Sequence, residues 1–205
     1  MTKSDGPRHV AVSIVYSPST GRLLMVTSRA HPDLWIFPKG GIEKGESSGQ
    51  AAVRESWEEA GTPNSLPSPK DEERLMMLSL PSKKGKHGSI WHVHVLEVKE
   101  DVVECIQEWP ESNQRKRNWF NPEQCLSKIQ EWSNVPSHGE NDNHDETPTT
   151  AGILKHSEDD NDAEDVRDDA KGESKKEKKK KQQKKEKKGG AMELALRHFM
   201  ELKGL

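Results

Sequence analysis

The stretch from about Pro136 to Gly190 constrains this chain most, because nothing in it can build a core. Asp and Glu dominate Glu140 to Asp169, with hardly any large apolar residue. A lysine run broken by a few Glu and Gln follows from Lys171 to Lys188. Burial of so little apolar surface does not offset backbone ordering, which costs about 1–2 kcal/mol per residue. Residues 136–190 are therefore expected to be a disordered insertion, acidic and then lysine-rich, and a folded domain has to come from residues 6–135. The same division explains the bulk figures. Hydrophobic residues make up 30% and charged residues 33% of the 205, and the net charge of -3 is the near cancellation of two opposite blocks. Net charge thus says little about partners.

Within 6–135 strand-like and helix-like patterns alternate, the mark of an α/β domain. Val10, Val12 and Ile14 are spaced for one face of a strand over His9 to Tyr16. Ser17-Pro18-Ser19-Thr20-Gly21 supplies a turn, and Arg22 to Thr27 reads as the returning strand. Trp35-Ile36-Phe37 is a short strand stopped by Pro38. Further strands are expected at Arg74 to Leu80, Ile90 to Val98 and around Trp119-Phe120. One helix should run from Ser48 to Ala60, and another after Asn121 with Pro122 in its first turn and Cys125, Leu126, Ile129 and Trp132 facing the sheet.

After Gly189-Gly190 the helical spacing returns in Met192, Ala195, Phe199 and Leu202. An amphipathic helix over 191–203 is expected to dock back on the domain, since a lone helix this short is marginal in water. The alternative is a tethered helix that binds a partner. Cys105 and Cys125 have no ligand or disulfide spacing and should stay reduced. The first residues lack a signal-peptide run, and no stretch reaches the roughly 20 apolar residues needed to span a bilayer. A soluble protein of the cytoplasm and/or nucleus, with no membrane partner, is expected.

The chemistry concentrates in Gly40-Gly41-Ile42-Glu43-Lys44-Gly45-Glu46 and Arg54-Glu55-Ser56-Trp57-Glu58-Glu59-Ala60-Gly61. A glycine-rich loop feeds a helix. Ser47 with Gln50 three residues on fits a capping box, Val53, Ser56, Trp57 and Ala60 form an expected buried stripe, and Gly61 with Pro63 ends the helix. Glu55, Glu58 and Glu59 fall at i, i+3 and i+4, so three carboxylates share a face. Like charges so placed cost about 0.2–0.5 kcal/mol per pair. Arg54 can offset part of that through Glu58 and Glu46, and a hard divalent cation far more.

These residues resemble the Nudix box: a glycine, five residues, Glu, seven residues, then Arg-Glu-aliphatic-X-Glu-Glu-X-Gly-aliphatic. Gly40, Glu46, Arg54, Glu55, Glu58, Glu59 and Gly61 fill its polar and glycine positions, while Ser56 and Thr62 depart at two aliphatic ones. The resemblance implies a Nudix α/β/α sandwich with a mixed β-sheet and a Mg2+-dependent hydrolase, Mn2+ being the alternative ion. Carried over, Glu55, Glu59 and the Lys39 backbone carbonyl bind metal, Glu58 is the general base, and Glu46 with Arg54 is a structural pair.

Basic side chains recur outside the box: Arg8 and His9, Arg29 and His31, Lys39, Lys83-Lys84-Gly85-Lys86-His87, and Arg115-Lys116-Arg117. Around an acidic metal site they argue for a polyanion pocket. Ala30 to Gly41 together with Arg115 to Phe120 look like the diphosphoinositol polyphosphate phosphohydrolases, whose members remove the outer phosphate of inositol pyrophosphates. Many also cleave diadenosine penta- and hexaphosphates, and some cut inorganic polyphosphate. The resemblance implies substrate contacts from Arg8, His9, Ser28, Arg29, Lys39, Gly40, Gly41, Lys86, His87, Arg115 and Arg117. Alternatives are a dinucleoside polyphosphate or RNA-cap hydrolase and, in another class, a polyanion-binding scaffold whose lysine tract contacts nucleic acid. Trp91 and Trp119 suit core packing better than base stacking. His92 and His94, on one strand face, suit sheet packing better than metal binding.

Overall fold

The computed structural model describes residues 6–81, 88–134 and 189–205. Seven strands form one sheet: β1 (Arg8–Ser17), β2 (Arg22–Ser28), β3 (His31–Ile36), β4 (Lys39–Gly41), β5 (Met76–Leu80), β6 (Ser89–Glu97) and β7 (Arg117–Phe120). The main order is β3-β2-β1-β6-β5, with β4 added to β1 and β7 to β2. β1 and β6 run parallel from Arg8↔Ser89 to Tyr16↔Glu97, and the remaining pairings are antiparallel. The sheet is mixed. Buried side chains run unbroken through β1 from Val10 and through β2 from Leu23, because both strands are covered on each face.

Four helices flank the sheet: α1 (Ser48–Ala60), α2 (Glu100–Glu104), α3 (Pro122–Asn134) and α4 (189–203). Alternation along β1 separates the two layers. Ser13 donates to the Ala52 carbonyl and Ala11 packs on Ala51 and Ala52, so that face carries α1. Tyr16 points the other way and meets Phe199 of α4 edge to face, with ring centroids 5.2 Å apart. Among the described residues no helix is long and apolar enough to cross a membrane.

Several local expectations shift. Lys39-Gly40-Gly41, read as loop, is a strand: its glycines pair with Ala11 and Val10. β3 begins at His31 rather than Trp35, since its edge position tolerates the polar His-Pro-Asp start. Helix α2 has one buried side chain, Val103, and so no periodicity that a sequence could display. In α4, Ala191, Met192, Ala195, Leu196 and Phe199 are buried, whereas Leu202 points to solvent at 64% exposure. Trp57 is only half-buried, and the buried flank of α1 contains Glu59 instead.

Candidate active site

Helix α1 is fixed at both ends by its own residues. The Ser47 hydroxyl accepts from the Gln50 backbone N–H, and the Gln50 side chain accepts from the Ser47 N–H, a closed capping box. Gly61 ends it in the left-handed region at φ 65°. A side chain there would also strike Arg117 and Trp109. The Gly40 requirement has a different origin: a Cβ at Gly40 would overlap the Glu55 carboxylate, so α1 lies against bare backbone of β4. Gly41 is covered by the Arg8 guanidinium, 3.3 Å from where its Cβ would stand.

Arg54 holds the acids together. Its Nε and Nη2 meet the two Glu46 oxygens at 2.9 and 3.0 Å, and Nη2 also donates to the Gly41 carbonyl at 2.8 Å. Its Nη1 is shared by Glu55 at 2.8 Å and Glu58 at 3.2 Å. Glu46 in turn accepts from the Glu43 N–H, which helps fix the glycine turn. Arg54 first, and then that N–H, hold the Glu46 carboxyl below its usual range. Burial pushes Glu55 upward against the pull of Arg54.

Glu59 is the most enclosed of the acids, 5% exposed. It accepts from the Lys39 N–H at 3.0 Å and from Arg115 Nη2 at 2.5 Å. Burial nevertheless raises its pKa to about 7, with Lys39 and Arg115 opposing. Arg115 continues the chain: its Nε donates to Glu111, its Nη1 to the Thr27 carbonyl at 3.0 Å. Glu111 also meets the exposed Arg29 at 3.2 Å, and its N–H donates to the Glu58 carbonyl at 3.0 Å.

A divalent cation fits the donors present. Burial raises both Glu55 and Glu59, as expected of carboxylates arranged for a positive partner. Among the described residues no three His, Cys, Asp or Glu side chains form a metal cluster. A divalent cation can draw one or two carboxylates from such a set and complete its shell with water and phosphate oxygens.

Not every residue singled out by sequence reaches this cluster. Arg117 departs from its expected role as a phosphate ligand. Its Nη1 donates to the Ala60 carbonyl at 2.9 Å and its Nη2 to the Val103 and Ile106 carbonyls at 2.9 and 2.7 Å, while its plane lies 4.1 Å over Trp109. It ties the end of α1 to α2. Arg115 is buried at 9% exposure and engaged with Glu59 and Glu111 rather than open to solvent. Ser28 is buried at a bulge between β2 and β3, beside exposed Arg29. Arg8 and His9 begin β1 in the open. Lys86 and His87 lie outside the described residues. Trp91 and Trp119 are core side chains. His94 bonds Ser48 at 2.7 Å, and His92 bonds Arg74 and His9, so the two histidines diverge into separate partners. Glu111 was not foreseen; its i, i+4 spacing to Arg115 was the available signal.

Box helix, glycine strand and mixed sheet define a class. The NUDIX domain model matches residues 7–139, and the chain belongs to the NUDIX family. Within it the chain is 36% identical over 126 residues to diphosphoinositol polyphosphate phosphohydrolase NUDT4B of Homo sapiens, covering 60% of this chain and 62% of that protein. It is 37% identical over 120 residues to the human diphosphoinositol polyphosphate phosphohydrolase 3-alpha, covering 58% and 65%. The chain thus spans less than two thirds of the length of these curated relatives. A MutT protein from Methanosarcina mazei Go1 aligns with a TM-score of 0.44 at 18% identity, covering 62% of this chain and 85% of that one.

Proposed function

We propose that the chain hydrolyses the phosphoanhydride bond of a diphosphoinositol polyphosphate and releases inorganic phosphate, with diadenosine penta- and hexaphosphates and inorganic polyphosphate as further substrates. The observation that carries this reading is Glu55 seated against the bare Gly40 backbone beside the buried Glu59, which accepts from the Lys39 N–H. The names of the relatives supply the substrate class. Glu55, Glu59 and the Lys39 carbonyl would hold Mg2+, or Mn2+ in its place. The ion, when bound, neutralises phosphate oxygens and lowers the pKa of water. Glu58, anchored at one oxygen by Arg54, takes a proton from the attacking water. A new bond forms between the water oxygen and the outer phosphorus, the bond from that phosphorus to the bridging oxygen breaks, the outer phosphate departs as inorganic phosphate, and the inositol phosphate keeps the bridging oxygen. Arg8 and Arg29, both exposed, bind other phosphates of the substrate on this reading.

The test is a panel at equal Mg2+: an inositol pyrophosphate, diadenosine hexaphosphate, polyphosphate and capped RNA, with kcat/KM for each. Preference for the inositol pyrophosphate supports the reading. Preference for capped RNA would overturn it.

A further inference from the structure

At the start of β1, His9 is linked to His92 of β6 and through it to Arg74, just before β5, and the proposed catalysis does not use these three side chains. Arg74 Nη1 lies 2.7 Å from His92 Nδ1, and His92 Nε2 lies 2.9 Å from His9 Nδ1. A guanidinium keeps its protons and has no acceptor, so Arg74 is the donor. His92 Nδ1 must then present a lone pair, which leaves the proton of the ring on Nε2. That N–H points at His9 Nδ1, which has to accept, and so the His9 proton sits on Nε2. One arginine sets the direction of both bonds.

Burial reinforces the order. His92 is enclosed at 7% exposure, whereas His9 is open. Burial first, then Arg74, hold His92 below the usual imidazole range, while Asp71 pulls the other way. His9 alternates with Ala11 and Ser13 and therefore stands on the α1 face, the face where Glu55 covers Gly40. Its carbonyl accepts from the Ile42 N–H, just beyond the glycine pair.

We propose that Arg74 and His92 are positioning residues that hold His9 in a single tautomer, its Nε2–H offered to a phosphoryl oxygen of the substrate. The identity of that substrate rests on the function proposed above.

Two-bond proton–nitrogen spectra of the full chain labelled with 15N, assigned with His9→Gln and His92→Gln, test the tautomers at about pH 7, near the range where a free histidine titrates. Both rings should show protonated Nε2 and bare Nδ1, and Arg74→Met should return them to averaged shifts. Averaged or Nδ1-protonated rings in the wild type overturn the proposal. Titration with Mg2+ and imidodiphosphate, which resists hydrolysis, should move the His9 Nε2 resonance; no movement overturns the donor role. In kinetics, Arg74→Met and His92→Leu should raise KM by about three- to tenfold at nearly constant kcat. His92→Gln should keep the wild-type KM, since an amide can accept from Arg74 and donate to His9. Equal losses in His92→Gln and His92→Leu, with melting temperatures confirming both fold, would overturn it. If the wild type leaves inositol pyrophosphate intact, the substrate reading falls, while the spectra and the imidodiphosphate titration still decide the role of these three residues.

Discussion

Ser56 and Thr62, the two departures from the aliphatic positions of the box, form one interaction, and a double-mutant cycle should reveal it. Both side chains are fully buried, with their hydroxyl oxygens 2.9 Å apart. Ser56 gives its proton to the Val53 carbonyl at 2.9 Å, so Thr62 must be the donor between them. Ser56→Ala therefore strands a buried donor, at a cost of about 1–3 kcal/mol. The better helix propensity of Ala returns about 0.5 kcal/mol. Thr62→Val leaves Ser56 bonded to Val53 and replaces the hydroxyl with a methyl, at about 0.5 kcal/mol. The double variant strands nothing and should lie within about 0.5 kcal/mol of wild type. The coupling is then on the order of 1–2 kcal/mol, well above the scatter of independent sites. Urea melts followed by tryptophan fluorescence in metal-free buffer measure all four proteins. Additive single effects, or a Thr62→Val cost larger than that of Ser56→Ala, would refute the assigned direction of the bond.

Three further outcomes follow from the acids and the glycine strand. Glu58→Gln should lower kcat by at least about a hundredfold while KM stays within a few fold; turnover near wild type would remove Glu58 from the mechanism. Because burial holds the Glu59 carboxyl at about 7, above its ordinary 4.5, the metal-free fold binds that proton more tightly than the unfolded chain. Metal-free stability should then fall as pH rises through that window, by at most about 3 kcal/mol. Mg2+ binds the ionised form, so its stabilising effect in thermal melts should grow between about pH 5.5 and 8; an equal shift at both ends contradicts this. Gly40→Ala forces the Glu55 carboxylate aside and should raise the Mg2+ concentration for half-maximal binding by about tenfold or more, read by calorimetry. Unchanged metal affinity would show that Glu55 is not held against β4.

The box helix was legible because its instructions are local. Ser47, Gln50 and Gly61 fix its ends through bonds within a few residues, and the resulting spacing places the acids. Strands β1, β2 and β6 announced themselves by apolar runs. What stayed hidden depends on distant partners. Gly40 and Gly41 read as loop because a strand of three residues has no period; pairing with β1 makes it one. Arg115 and Arg117 read as one basic cluster, yet Arg115, just before β7, turns to Glu59, while Arg117, its first residue, turns to the carbonyls of Ala60, Val103 and Ile106. Glu111 and the Arg74–His92–His9 chain join residues far apart in sequence, and spacing carries no trace of that.

The end of α3 and the beginning of α4 meet, and this bears on the charged tract between them. A Cβ built on Gly189 would stand 3.3 Å from the Trp132 Cβ and 3.4 Å from the Ile129 carbonyl oxygen. The connection therefore begins and ends at nearly one place, and geometry sets no minimum length beyond a short turn. Replacing residues 136–187 with about four Gly and Ser residues shortens the closed loop roughly ninefold, which lowers its closure cost by about 2 kcal/mol. Because Met192, Leu196 and Phe199 stay in the core, the shortened chain should melt at or above the wild-type temperature and keep kcat/KM for its best substrate within about twofold. Loss of catalysis in a variant that still melts cooperatively would mean that the tract contributes to the site. Intact catalysis with lost RNA retention or nuclear entry would assign the lysines to targeting instead.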